Sequence, residues 1–260
     1  MAKNGRRGSV SAWKRIVSVL LSLIVLSGFA YPAQKHDRTF YEKTGEIIWE
    51  VPQQEKKIAL TFDDGPSEET TGQILDLLKE YHAKATFFVV GNRVMEYPDM
   101  VKRELSEGHE IGNHTFSHYY LRNSTKSLTF QNEILNTEKV LVELTGMKPH
   151  LFRPPGGYYN EQMVHDTKKL GYTTILWSWH QDTNDWRRPG VRSISKKVIT
   201  NARNGDIVLL HDYVPGSNQT VKALKVILPE LTKEGFQFVT VSELISSKQE
   251  EGARNQIPLY

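Results

Sequence analysis

The chain has 260 residues, 38% of them hydrophobic, a formal net charge of +3 and no cysteine. A chain of this length and hydrophobicity can form one sizeable core, so a single domain is expected. Without cysteine, disulfide bonds and thiolate chemistry are excluded. The basic surplus lies in residues 1–30, and the remainder contains 28 basic and 30 acidic residues. This balance argues against nucleic-acid binding.

Residues 1–30 are predicted to be a signal peptide or a membrane anchor. A basic start is followed by the apolar run 16–30, which has signal-peptide length and is short for a bilayer span. Gly28 and Ala30 supply small residues at the −3 and −1 positions of a cleavage site. In an uncleaved anchor, the basic residues would keep the N-terminus cytoplasmic. With either alternative, the remainder is expected to be extracytoplasmic, either secreted or held on the outer face of the membrane.

Residues 31–55 are predicted to form a linker and a first strand, residues 56–247 one α/β domain, and residues 248–260 a C-terminal tail without periodicity. In the domain, short apolar runs alternate with longer amphipathic stretches. The predicted elements are, in chain order, strand 46–51, strand 57–62, a helix through 74–81, strand 85–90, helix 98–107, strand 110–113, helix 127–144, strand 150–152, helix 161–170, strand 173–177, helix 193–202, strand 206–210, a helix through 221–231, strand 238–241 and a helix opening at 241–245.

This alternation predicts an α/β fold with parallel strands. A doubly wound open sheet and a barrel both fit the pattern. A glycine-rich dinucleotide fingerprint is absent after the first strand of the domain, which removes one support for the open sheet. Polar residues follow several different strands, as they do at the top face of a barrel. We therefore predict an irregular (β/α) barrel of about seven parallel strands.

Two carboxylates and two imidazoles form the first candidate site. In TFDDGPS, residues 61–67, Asp63 and Asp64 stand where a strand ends and a turn begins. Side-chain alternation relaxes there, so both acids can reach one site, although an ordinary Asp-Gly turn has the same letters. His114 and His118 are four residues apart and can share a metal on a helix or a tight turn. With one aspartate they would make a His₂-Asp set of the kind that binds catalytic zinc.

Three further stretches carry candidate residues. FRPPGG contains Arg153, whose permanent charge can clamp a carboxylate. DTNDW, residues 182–186, lies in a loop after a strand, and His211 ends the apolar strand of IVLLHD. Two of these stretches also have a plain structural interpretation: FRPPGG as a rigid turn with a surface arginine, and His211 as a satisfied structural histidine.

In this order and at these intervals, TFDDGPS, HTFSH, RPPGG, DTNDW and LLH resemble the five motifs of the polysaccharide deacetylases. These are the NodB-like domains of carbohydrate esterase family 4, and the chain resembles their bacterial peptidoglycan N-acetylglucosamine deacetylases in particular. The resemblance covers about residues 57–245. It implies the NodB-type barrel and a metal-assisted hydrolase of N-acetyl groups. The implied cofactor is one divalent metal ion, zinc first, with cobalt, nickel or manganese as alternatives.

The resemblance also assigns a role to each motif residue. The implied roles are Asp63 as general base, Asp64, His114 and His118 as metal ligands, Arg153 as the group that orients Asp63, His211 as general acid, Asp185 as the partner of His211 with Asp182 as the alternative, Trp186 and Leu209 as walls of the acetyl pocket, and the backbone N–H of Gly156 as an oxyanion donor. Gly156 departs from the family pattern, because many relatives carry an aromatic residue there. Tyr158 or Tyr159 is expected to replace that aromatic face.

The expected substrate is a cell-wall glycan, most directly the N-acetylglucosamine of peptidoglycan. Chitooligosaccharide, N-acetylmuramic acid and acetyl xylan are the alternative substrates, since esters and amides are cleaved by the same constellation. An inactive glycan-binding wall module is the alternative of another class. The expected partner is the glycan polymer, with no nucleic acid, membrane contact only through the N-terminal segment, and a monomeric state.

Overall fold

A computed structural model describes residues 36–122 and 126–254, and a compact unit begins at Asp37. The predicted signal or anchor at residues 1–30 lies outside the described residues. Among the helices in the described ranges, none combines the length and the apolar character that a membrane crossing requires.

Eight strands and nine α-helices alternate along the described chain. The strands are β1 (Ile47–Ile48), β2 (Lys57–Asp63), β3 (Ala85–Val89), β4 (Glu110–Asn113), β5 (Leu151–Phe152), β6 (Thr173–Ile175), β7 (Ile207–His211) and β8 (Gln237–Phe238). The helices are α1 (Arg38–Thr44), α2 (Glu68–Glu80), α3 (Gly91–Glu96), α4 (Pro98–Ser106), α5 (Ser127–Thr145), α6 (Glu161–Lys169), α7 (Val191–Asn201), α8 (Gln219–Lys233) and α9 (Val241–Arg254).

The predicted barrel of parallel strands is confirmed. Every strand pair is parallel, and the strands follow the order β1-β6-β5-β4-β3-β2-β7, with β8 added to the start of β2. The sheet curls until the segment after β1 meets the segment before β7. There the Val51 N–H donates to the Gly205 carbonyl at 2.8 Å. Because the two edges of the sheet are joined only through this short antiparallel contact, the barrel is irregular. The carboxyl ends of all strands still lie at the same end of the barrel.

Strand β2 lies at the centre of the sheet and is buried along almost its whole length. Ile58, Leu60 and Phe62 pack in the large cluster that includes residues of α2, α7 and α8. The alternate positions face the other way, and Ala59 packs in a separate cluster with residues of β3, β6 and β7. Since side chains alternate along a strand, Thr61 and Asp63 continue the Ala59 face into the barrel interior. This alternation places Asp63 at the carboxyl end of the barrel.

Helix α1 lies in the segment predicted to be a linker, so that prediction was incomplete. The Asp37 side chain caps it by accepting the Phe40 N–H at 3.0 Å, and Gly45 ends it in the left-handed region with φ +68°. Tyr41 is buried, and its ring packs edge-on against Tyr159. The helix is stabilised by this tertiary contact, which the polar sequence pattern does not reveal.

The sequence also missed α3, because its six residues are too few for a clear periodicity. The predicted strand 238–241 was wrong beyond Phe238, since Val241 opens α9. The Val241 N–H donates to Thr86 Oγ1 at 2.9 Å, and Glu110 accepts the N–H of Ser242 at 3.2 Å. Side chains from β3 and β4 thus satisfy the free amides that begin this helix.

The predicted tail at residues 248–260 began too early, because α9 continues to Arg254. Polar contacts hold its later turns against the barrel. Lys57 Nζ donates to Ser247 Oγ at 2.7 Å, and the Gln54 N–H donates to Glu251 at 3.2 Å. These contacts span almost 200 positions of sequence, so local periodicity could not predict them.

Candidate active site

The candidate residues converge on a cavity of about 360 Å³ at the carboxyl ends of the strands. Eight of the ten predicted residues line it: Asp63, Asp64, His114, His118, Gly156, Trp186, Leu209 and His211. The other two, Arg153 and Asp185, are buried directly behind it. Parallel strands bring their carboxyl ends to one face, so motifs that are far apart in sequence meet there.

Arg153 fixes the position of Asp63. Its Nη1 donates to Asp63 Oδ1 at 2.7 Å and to Thr61 Oγ1 at 2.8 Å. The guanidinium is fully buried and lies 4.1 Å from the centre of the Phe88 ring. Burial lowers the pKa of Arg153 and the Asp63 charge opposes that change, so the guanidinium stays charged. One oxygen of Asp63 is therefore occupied, and the other lies 3.8 Å from His114 Nε2, facing the cavity.

Asp64, His114 and His118 form a three-donor group. Their donor atoms all lie within 4.8 Å of one another, with Asp64 Oδ1 at 2.9 Å from His118 Nε2 and 3.4 Å from His114 Nε2. Asp64 adopts φ +76°, and this left-handed turn redirects its carboxylate after the regular strand ends. Burial alone would raise the pKa of Asp64, but the facing imidazoles outweigh it and hold the pKa well below its usual range.

A tight turn, not a helix, brings the two imidazoles together. Thr115 and His118 both adopt positive φ, at +67° and +56°. Glu133 on α5 holds this turn by accepting the N–H groups of Phe116 at 3.0 Å and Ser117 at 2.8 Å. The turn therefore depends on a carboxylate that lies outside the sequence motif.

This donor set fits a divalent metal. Asp64 Oδ1 is buried and has no hydrogen-bond partner among the described residues, although two ring nitrogens face it. His114 Nδ1 lies 2.7 Å from the Arg153 carbonyl, which fixes the ring and leaves Nε2 directed at Asp64. One carboxylate and two oriented imidazoles are the donors that catalytic zinc and related metals prefer.

His211, which lines the cavity, forms a hydrogen-bonded pair with Asp185. His211 Nδ1 lies 2.6 Å from Asp185 Oδ1, and Asp185 Oδ2 accepts the His211 N–H at 2.8 Å and the Thr220 hydroxyl at 2.7 Å. Burial alone would lower the pKa of His211, but the charge and hydrogen bond of Asp185 outweigh it and raise the pKa to about 9. The imidazole is thus a stable cation at neutral pH.

Aromatic side chains surround the reactive groups. Trp186 is half exposed, Leu209 is buried, and both line the cavity. Gly156 adopts φ +68°, and a Cβ there would lie 3.0 Å from both Tyr120 and Tyr158. Tyr120 and Tyr158 also line the cavity and are exposed. These two rings lie beside Gly156, at the position where many relatives carry an aromatic residue. Tyr158 was one of the two residues expected to replace that aromatic face.

Sequence reasoning missed several residues of this site. Trp177 and Tyr120 line the cavity but lie outside the motifs. Their only signal in the sequence is position, because Trp177 ends a predicted strand and Tyr120 follows His118 by two residues. Thr61 was part of the first motif yet received no role. Thr220 carries no sequence signal, because it reaches Asp185 from a helix 35 positions away. Tyr159, one of the two predicted replacements for the aromatic face, instead packs against Trp49 away from the cavity lining.

A second group of donor residues, Glu50, His180 and Asp206, also comes within 4.8 Å. Here two of the three donor residues, His180 and Asp206, are already engaged with each other. His180 Nε2 lies 2.9 Å from Asp206 Oδ1, and Asp206 Oδ2 accepts N–H groups from Gln181 and Arg203, both at 2.9 Å. His180 and Asp206 therefore belong to a hydrogen-bonded network just before β7.

Comparisons with known proteins agree with this geometry. Residues 50–175 match the family model described as polysaccharide deacetylase. A peptidoglycan-N-acetylglucosamine deacetylase of Bacillus cereus is 55% identical over 207 residues, covering 80% of this chain and 96% of that protein. The deacetylase PgdA of Listeria monocytogenes is 41% identical over 205 residues, covering 78% of this chain and 42% of that protein.

A solved structure shares the fold. The crystal structure of the Bc1960 peptidoglycan N-acetylglucosamine deacetylase, in complex with 4-naphthalen-1-yl-N-oxidanyl-benzamide, aligns with a TM-score of 0.76 at 34% identity. The alignment covers 81% of this chain and 98% of that one. The chain therefore spans nearly the full length of two of these three relatives and less than half of the Listeria protein.

Proposed function

This chain belongs to the polysaccharide deacetylase family, and on that premise we propose that it is a metal-dependent hydrolase of N-acetyl groups on cell-wall glycans. Its proposed substrate is the N-acetylglucosamine of peptidoglycan, which the 55% identical Bacillus cereus relative supports. The observation that carries the proposal is the cavity itself. It joins three candidate metal donors, a carboxylate held by arginine and a histidine paired with an aspartate in one space.

The two neighbouring aspartates would have different roles. Asp64 would hold the divalent metal with His114 and His118, because its Oδ1 faces both Nε2 atoms. Asp63 would be kept from the metal by its bond to Arg153, leaving Oδ2 free to take a proton. When bound, the metal polarises the acetyl carbonyl and acidifies the attacking water. Zinc is proposed first, since this donor set also accepts cobalt, nickel or manganese.

The reaction then needs two proton transfers. Asp63 takes a proton from the water while the water oxygen bonds to the acetyl carbon. The backbone N–H of Gly156 is proposed to help stabilise the resulting oxyanion. As the carbon–nitrogen bond breaks, His211 gives its Nε2 proton to the departing amine, with its Nδ1–H held by Asp185. The products are acetate and a sugar with a free amine.

The acetyl group would lie between Trp186 and Leu209, which both line the cavity. Tyr120 and Tyr158 would offer ring faces to the sugar, because aromatic rings pack well against the apolar faces of sugars and both rings are exposed at the cavity. We propose that the protein acts outside the cytoplasmic membrane, secreted or anchored, where such glycans occur. A monomer is proposed as the working state.

Acetate release from peptidoglycan and from chitopentaose, measured side by side on the zinc-loaded protein, tests the proposal. Asp63→Asn and His211→Ala are each expected to lower the rate by about 10²–10⁴ with the fold intact, because each removes a general acid or base. A chelator is expected to stop acetate release, and zinc or cobalt to restore it. Undiminished activity in either variant would contradict the mechanism. Zinc binding without acetate release from any glycan would instead favour an inactive binding module.

A further inference from the structure

Arg187 occupies the rim of the catalytic cavity, directly after Trp186. Its guanidinium carbon lies 4.5 Å from the centre of the Trp186 ring, and the residue is exposed and lines the cavity. Stacking on an indole restrains a guanidinium while leaving its N–H edge open for hydrogen bonds. Arg187 is therefore a held cation that presents planar donors beside the acetyl pocket.

Several other arginines of the described residues have partners that explain them. Arg38 lies 2.5 Å from Glu42, Arg103 pairs with two carboxylates, and Arg153 holds Asp63. Arg188, the next residue, donates to the Pro215 carbonyl and so holds its loop. Within residues 36–122 and 126–254, no carboxylate lies in ion-pair distance of the Arg187 guanidinium.

The principal charges deeper in the cavity are already matched. The side chain of Asp63 is bound by Arg153, and that of His211 by Asp185. Asp64 faces two imidazoles. Arg187 thus contributes a positive charge at the rim that forms no ion pair with any carboxylate of the described residues. Such a group fits a planar anion on a ligand, because a guanidinium can donate two parallel hydrogen bonds to one carboxylate.

We propose that Arg187 is a specificity-determining residue that binds a carboxylate on the sugar next to the one being deacetylated. This inference rests on the proposed function. In peptidoglycan, each N-acetylglucosamine is flanked by sugars with a 3-O-lactyl group, whose carboxylate is free or extended by a peptide that carries further carboxylates. Chitin chains carry no carboxylate. Arg187 therefore selects the acidic wall glycan over a neutral glycan of the same length.

The test compares matched tetrasaccharides of alternating N-acetylglucosamine and N-acetylmuramic acid. One carries free lactyl carboxylates, and the other carries the same groups as carboxamides, which removes the charge and preserves the shape. A third carries the stem peptide. Comparing it with the first shows whether the bound anion is a lactyl carboxylate or a peptide carboxylate. The kcat/KM for acetate release is measured for wild type, Arg187→Ala, Arg187→Lys and the control Arg192→Ala. Arg192 is an exposed arginine on α7 outside the cavity lining.

Wild type is expected to prefer an acidic tetrasaccharide over the carboxamide by about tenfold, the size of one charge-assisted hydrogen-bonded pair at a partly exposed site. Arg187→Ala is expected to lose this preference, Arg187→Lys to keep part of it, and Arg192→Ala to keep all of it. The preference should also weaken at high salt, since exposed charge pairs are screened. A structural role for Arg187 would lower the rates on all substrates alike.

The preference for acidic over neutral tetrasaccharides is measured a second way. Affinities of the tetrasaccharides are determined for the Asp63→Asn protein with and without Arg187→Ala. This readout needs no catalysis, so it separates failure of this inference from failure of the proposed deacetylase activity. An unchanged preference in Arg187→Ala would overturn the inference. Equal affinity of the Asp63→Asn protein for the acidic and neutral tetrasaccharides would overturn it as well.

Discussion

Replacing Asp185 with asparagine removes the charge that keeps His211 protonated. The carboxylate accepts four hydrogen bonds, from His211 Nδ1, the His211 N–H, the Thr220 hydroxyl and the Trp186 N–H. A carboxamide has one acceptor oxygen. If that oxygen takes the Thr220 hydroxyl and the His211 N–H, its NH₂ group faces His211 Nδ1 and favours the neutral ring with its proton on Nε2.

The size of the effect follows from the balance of causes at His211. Burial lowers the pKa and Asp185 raises it, with a net result of about 9 against an ordinary value of 6.5. Without the Asp185 charge and hydrogen bond, burial is opposed only by the charges of Asp64 and Asp63, so the pKa of His211 should fall from about 9 toward its ordinary value. With the pKa at about 6.5, the protonated fraction at pH 7 would fall from about 99% to about 25%. The alkaline limb of kcat/KM should then move to lower pH, and the rate at pH 7 should fall by about fourfold, in proportion to the protonated fraction.

NMR titration of the His211 imidazole in the metal-free protein measures this pKa directly. The pH profile of acetate release by the zinc-loaded protein gives the kinetic counterpart. Thr220→Val is the matched control, because it removes one hydrogen bond from Asp185 but preserves the charge, and it should move the His211 pKa by less than about one unit. A His211 pKa within about half a unit of wild type in the asparagine variant would refute the role given to the Asp185 charge.

Two further predictions concern metal affinity and acid stability. Asp64→Asn is expected to weaken zinc binding, measured by calorimetry, by at least about 10–100-fold, and Asp63→Asn by only about threefold. Equal losses of zinc affinity in the two variants would contradict the division of roles between these aspartates. Burial, aided by the charge of Lys84, lowers the pKa of His109 to about 4 from an ordinary 6.5, so the unfolded chain takes up this proton first as the pH falls. The free energy of unfolding of the chelated protein should therefore drop by about 2–3 kcal/mol between pH 6.5 and 4. Urea titrations at several pH values measure this drop. The control is His109→Gln, in which this part of the pH dependence should be absent.

The general plan of the domain could be predicted because it rests on local patterns. Strand β4 has the predicted bounds, Glu110–Asn113, and the other predicted strands of the domain agree to within a few residues. Apolar runs of this length, separated by amphipathic stretches, can hardly be buried except as strands covered by helices. The motif residues follow strand ends, so parallel strands were bound to bring them to one face.

Where each motif side chain points was not contained in the pattern. Asp63 and Asp64 are neighbours, yet one reaches Arg153 and the other faces two imidazoles, because the regular strand ends at Asp63 and Asp64 turns with positive φ. Glu133 and Thr220 support the site from helices whose sequences carry no motif. Their roles depend on how α5 and α8 pack against the barrel.

The sequence by itself determined the fold class, the family and the chemical types gathered at the site, because strand periodicity and motif order are local properties of the chain. Only the tertiary structure shows which atoms of those groups meet. The pairing of Arg153 with Asp63 and the pairing of Asp185 with His211 arise from contacts between distant segments. Such contacts depend on the distances and burial that the packed barrel sets, and no local pattern encodes them.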